Sequence, residues 1–110
     1  LRLTDLEPEF LKIESAKSFR RLDDIAQADG VGFVCPKCFV DNGNTTIGAH
    51  HIICWHPRVS QEISPGPGRW ELLGSGYHDL TLRAGSSSVF LTGPGCGAHF
   101  YITNGEVIPC

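Results

Sequence analysis

Cysteine and histidine gather in three short stretches of this chain: CPKC at 35–38, AHHIICWH at 49–56 and CGAH at 96–99. In the first, a two-residue gap lets a tight turn aim the sulfurs of Cys35 and Cys38 at one ion. The third repeats that spacing with Cys96 and His99, and Gly95 and Gly97 give its turn conformational freedom. Together the two knuckles supply Cys35, Cys38, Cys96 and His99, a donor set that matches tetrahedral structural Zn²⁺. The run between them is longer than in small zinc fingers, so such an ion would clamp distant strands together. A shell closed by four protein donors leaves no place for water or substrate, so this zinc would stabilise rather than catalyse. A redox reading of CPKC is the weaker one, because thioredoxin-like motifs sit in a βαβ setting that this sequence lacks.

Five cysteines make an odd number. With no signal peptide in view, that argues against a disulfide framework and for metal-bound thiolates. Cys54 lies inside an apolar run and reads as a buried thiol. Cys110 is an alternative fourth ligand if the last hairpin folds back beside CGAH.

The histidines of AHHIICWH raise a second chemistry. A Cys-x-x-Cys followed by His-His-Ile resembles the start of an HNH-type, ββα-metal nuclease, in which one His acts as general base and another helps hold a divalent ion. His50 or His51 would be the base. The family then needs an Asn and a further His on a helix. Here the chain runs HPRVSQEISPGPGRW, which has no Asn and cannot stay helical through Pro65 and Pro67. The residues read better as a central strand, with His51, Ile53 and Trp55 on one face and His50, Ile52, Cys54 and His56 on the other. His51 then remains a hydrogen-bonding support or a substitute metal ligand. The adjacent His78-Asp79 pair reads as loop polarity, since neighbours on a strand point to opposite faces.

The elements that must position these residues are legible in outline. At 110 residues the chain is one small domain, whose modest core would gain from a metal tie. Charge concentrates in residues 1–30, which read as a solvated arm plus a helix. In AKSFRRLDDIAQADG (16–30), Phe19, Leu22, Ile25 and Ala26 fall near helical spacing, Ser18 is a candidate N-cap and Gly30 a stop. From Val31 onward short β-type runs alternate with Gly, Pro, Asn and Ser. Strands are expected near VGFV, IGAHHIICW, RWELLG, DLTLRA, SVFLT, HFYIT and EVIP, the last two joined by a type I′ turn at Asn104-Gly105. The fold class expected is mainly β: a small antiparallel sandwich or partly open barrel with one short N-terminal helix, zinc-stabilised, residues 31–110 forming the zinc-binding part.

Net charge is −3, and Lys37, Arg58, Arg69 and Arg83 are the only Lys or Arg after position 30, so nothing draws the chain to nucleic acid. No apolar run reaches membrane-spanning length. LRLTDLEPEF lacks the basic and apolar regions of a signal peptide, so the expected location is cytoplasmic.

Taken together, FVCPKCF, GAHHIICW, PGPGRW, GSGYHDLTL and GCGAHFYITNGEV resemble a family of small phage and prophage proteins. The resemblance runs from about Phe33 to Cys110. It departs after the Thr-Leu segment, where RAGSSSVF replaces the family's usual Pro-Ser-Ile. Members often carry the label "ammonia monooxygenase", an activity of large membrane-embedded copper complexes that this sequence does not fit. The resemblance implies a phage-encoded protein acting in the bacterial host cytoplasm, with Cys35, Cys38, Cys96 and His99 as motif positions. The expected function is a zinc-stabilised, non-catalytic module that binds a host or phage protein. A metal-dependent hydrolase using His50 or His51 and a structural component of the virion are the alternatives.

Overall fold

A computed structural model describes residues 1–64, 68–83, 88–90 and 97–109. Its described strands are β1 (Glu9–Ser15), β2 (Ser18–Leu22), β3 (Gly30–Val34), β4 (His51–Trp55), β5 (Glu71–Leu73), β6 (Thr81–Arg83), β7 (Ser88–Phe90), β8 (His99–Thr103) and β9 (Glu106–Pro109). They form a four-stranded sheet in the order β2-β1-β3-β4, a pair β5-β6 and a three-stranded sheet β7-β8-β9, all antiparallel. The mainly-β expectation therefore holds, without a closed barrel, and each strand expected from Val31 onward is present. Among the described residues the one α-helix is α1 (Pro36–Asp41), which follows directly from β3.

The N-terminal thirty residues differ from expectation. The segment expected to be a helix over 16–30 instead makes β2 and a 3-10 turn at Ile25–Gln27. Its apparent helical spacing is overridden by the strand before it, which offers β2 a hairpin partner. Phe19 pairs with Ile13 and Leu22 with Phe10. Arg20 bonds Glu14 and Arg21 bonds Glu9, both at 3.2 Å, so the basic pair is neutralised across strands. Asp24 then caps the 3-10 turn by accepting from the Ala26 amide at 2.9 Å. Nor are the first residues a solvated arm, because Leu3, Leu6 and Phe10 are buried in the main core.

That core lies between the inner face of the four-stranded sheet and the strands β6, β8 and β9. Alternation on β1, β3 and β4 turns Phe10, Val31, Phe33, Ile52 and Cys54 inward. They meet Leu80, Leu82, Phe100, Ile102 and Val107 from the other side. The Phe33 and Phe100 rings contact edge to face, their centroids 6.0 Å apart at 74°. The outer face carries a smaller cluster of Leu11, Trp55 and Val59. Trp55 lies across Gly30, where a Cβ would stand 2.6 Å from its ring. Arg69 holds the covering loop by donating to the carbonyls of Val59 at 3.1 Å and Ser64 at 2.6 Å.

Asp29 is the buried polar residue that fastens this sheet to the loop after β4. Its carboxylate accepts from the Ile13 amide at 2.8 Å and from Arg58 Nε at 2.8 Å, with Lys12 at 3.7 Å. Burial works to raise its pKa, but the Ile13 amide, Arg58 and Lys12 outweigh burial and hold it below the ordinary value of 3.8. A depressed carboxylate stabilises the fold fully above its unfolded-state pKa and loses that contribution as pH falls through the lower folded value. Asp29→Asn is therefore expected to cost about 1–3 kcal/mol at pH 7, with a shallower loss of stability below about pH 4. Urea unfolding of both proteins at pH 7 and pH 3 checks this; parallel acid slopes would contradict it.

Candidate metal centre

The centre is built where β3 ends and β4 begins. The β3–β4 register pairs Phe33 with Ile52 and Val34 with His51, so the next opposed residues are Cys35 and His50. The Cys35 amide donates to the His50 carbonyl at 2.8 Å, which carries the ladder one step beyond the strands. Alternation then puts both side chains on the same face as Phe33 and Ile52, at the edge of the core.

Cys38 arrives from α1. Cys35 is the helix N-cap and Pro36 occupies the first helical position, where its fixed φ and missing N–H cost nothing. The Phe39 amide donates to the Cys35 carbonyl at 3.0 Å, closing the first turn. This turn carries Cys38 back over Cys35. Lys37 and Asp41 pair at 2.7 Å on its outer side. The chain returns to β4 through positive φ angles at Gly43, Asn44 and Gly48.

The result is a three-donor cradle. Cys35, Cys38 and His50 each offer a ligand atom, and these atoms lie within 4.8 Å of one another. Cys35 is buried, Cys38 half-buried and His50 exposed, so the cradle opens at the surface. Two sulfurs and an imidazole suit Zn²⁺, which takes thiolate at about 2.3 Å and histidine nitrogen at about 2.0–2.1 Å. The residues present fit that ion.

The other histidines and cysteines go elsewhere. His51 lies on the opposite face of the sheet, beside Glu9, Leu11, Phe19, Gly32 and Ile53. Cys54 is fully buried, and burial pushes its thiol well above the ordinary range, which makes it inert. His56 sits beyond β4 beside Asp29 and Arg58. Burial and the Arg58 charge lower its pKa, against Glu71 and Asp29. Asp79 accepts from the Ser75 hydroxyl and from the Ser75 and Gly76 amides at 2.8–3.0 Å, which holds its pKa down to about 2. The His78-Asp79 pair is thus loop structure.

Of the expected Cys3His set, Cys35 and Cys38 are in the cradle. Cys96 and the alternative ligand Cys110 lie outside the described residues. His99 starts β8 and lies outside the described donor cluster, whose histidine is His50. His99 does line a cleft of about 420 Å³ together with Pro36 and Lys37. The signal for His50 lies in the strand register: with β3 ending at Val34 and β4 starting at His51, antiparallel pairing brings the flanking residues together.

Fold and site define a small antiparallel β protein with a candidate Cys2His metal cradle at one end of its larger sheet. Comparison with protein-family models, with curated proteins and with solved structures gives no match for this chain. No helix among the described residues is long and apolar enough to cross a membrane.

Proposed function

We propose that this protein is a small zinc-stabilised binding module in which the metal has a structural role. The convergence of Cys35, Cys38 and His50 within 4.8 Å of one another carries this reading. The fourth donor comes from the CGAH knuckle, with Cys96 supplying the sulfur of a Cys3His set. That His99 lines the same cleft as Pro36 and Lys37 supports bringing that knuckle to the ion. The family resemblance of the sequence supports a phage-encoded protein acting in the cytoplasm of a bacterial host. Its partner in this reading is a protein of the host or the virion.

Metal analysis of the purified protein tests the reading. The expected result is one zinc ion per chain, with retention falling at least tenfold in Cys35→Ser and His50→Ala. His51→Ala, altered on the opposite face, keeps its zinc. Loss of metal in His51→Ala with retention in His50→Ala would reverse the assignment. DNA cleavage dependent on Mg²⁺ or Mn²⁺ and abolished by His51→Ala would replace the module with a nuclease.

A further inference from the structure

We propose that the Cys35–Cys38 pair is a peroxide-responsive switch that releases the metal by closing to a disulfide. This rests on the metal-centre reading above and assigns a regulation to that same site.

Three observations carry it. The two sulfurs belong to one helical turn and lie within 4.8 Å of each other, and neither cysteine is in a disulfide. Side-chain rotation in a Cys-x-x-Cys turn at the start of a helix can close that gap to the S–S bond length of about 2.05 Å. The two cysteines also differ in access. Cys35 has no exposed surface, whereas Cys38 is half-buried on the open side of the cradle. An oxidant therefore meets Cys38 first, and Cys35 is placed behind it to resolve the product. Lastly, every thiolate engaged in a disulfide is lost as a ligand, so the oxidised pair leaves His50 as the sole described donor.

The chemistry balances with a hydroperoxide as oxidant. The Cys38 thiolate attacks one peroxide oxygen, the O–O bond breaks, and hydroxide leaves and takes up a proton as water. The Cys35 thiolate then attacks the Cys38 sulfenic sulfur. The S–S bond forms, the S–O bond breaks, and the second oxygen departs as water after protonation. Two thiolates lose two electrons, hydrogen peroxide gains them, and one metal ion is set free. The setting differs from the βαβ one of thioredoxin-like motifs, yet the strand–Cys-x-x-Cys–helix turn is the same local device.

The fully buried thiol of Cys54 provides an internal control for the initial rate, since no oxidant reaches it until metal loss opens the fold. The test uses the full chain, purified under reducing conditions, with zinc content measured first. Hydrogen peroxide is then added and zinc release followed with a chromogenic chelator. Peptides are mapped by mass after trypsin, which can cut between Lys37 and Cys38. The expected result is near-complete zinc release in step with a mass loss of two hydrogens linking the peptide that holds Cys35 to residues 38–58, a link that persists in Cys54→Ala and so belongs to Cys38. Dithiothreitol with added zinc should reverse both changes. Cys54→Ala should release its zinc at the wild-type rate.

Zinc retained under peroxide overturns the switch and leaves the metal centre standing. So does release accompanied by sulfinic acid, or by a disulfide from Cys35 or Cys38 to another cysteine. Absence of zinc from the reduced protein overturns the metal centre, and the switch with it.

Discussion

Incubation with a strong chelator at neutral pH is expected to unfold or aggregate the protein, with loss of its β-sheet circular dichroism and of a cooperative melting transition. Magnitudes decide this. A structural zinc contributes roughly 10–16 kcal/mol of apparent binding free energy near pH 7, whereas a small domain is stable by only about 5–15 kcal/mol in total. The geometry of the cradle would direct that energy to a weak place. Helix α1 has six residues, too few to hold together alone, and it is joined to β4 by a loop rich in Gly and Asn. The metal would tie the end of β3, the first turn of α1 and the start of β4 to one point. Without it, two thiols and an imidazole stand untied at the mouth of the core, and the elements that cover Phe33 and Ile52 are held by packing alone. Retention of full structure after complete removal of the metal would show that the strands alone suffice.

Phe33→Ala is expected to destabilise the protein by about 3–5 kcal/mol and to lower its melting temperature by more than about 10 °C. Phe33 is fully buried at the centre of the main cluster and meets Phe100 edge to face. It thus joins the four-stranded sheet to the β7-β8-β9 sheet. Truncation removes a large apolar side chain and leaves a cavity that two sheets cannot readily collapse to fill. Val40→Ala, changed at an exposed position on α1, should stay within about 0.5 kcal/mol. Urea unfolding of the two variants measures the difference. A loss below about 1 kcal/mol for Phe33→Ala would mean that the two sheets do not depend on this contact.

Period-two patterning was a sound guide wherever a strand has one buried face. HFYIT and EVIP emerge as β8 and β9 around an Asn104-Gly105 turn, with φ of 49° and 76°. The same rule misleads at an edge. In β2, SFRRL buries almost nothing, so its sequence carries no period-two signal and a chance helical spacing fills the gap. What makes it a strand is the β1 partner and the cross-strand Arg–Glu pairs, which are tertiary facts. In CPKC the metal-binding character was legible, but the helix was not, because six residues with Phe and Val show no helical period.

The candidate centre divides along the same line. Cys35 and Cys38 are local in sequence and could be paired by spacing alone. His50 needs the register of β3 on β4, and a slip by one residue would bring His51 opposite Cys35 instead. Two adjacent histidines thus left the choice open until the inward positions of Ile52 and Cys54 fixed the parity.

The pairing of residues 1–3 with residues 105–107 has a consequence for timing. The Leu3 amide donates to the Gly105 carbonyl and the Val107 amide to the Leu1 carbonyl, both at 2.8 Å, while Arg2 meets Glu106. Residues near the start therefore wait, during synthesis, for residues made about a hundred positions later. Until then Leu3 and Leu6 lack part of their packing, and the hairpin β1–β2 must survive on local contacts. Each doubling of a closing loop adds only about 0.6 kcal/mol of entropy, so the delay is kinetic rather than thermodynamic. The contact of Leu1 and Leu3 with Gly105 and Val107 is therefore available only after nearly all the rest of the fold has been made.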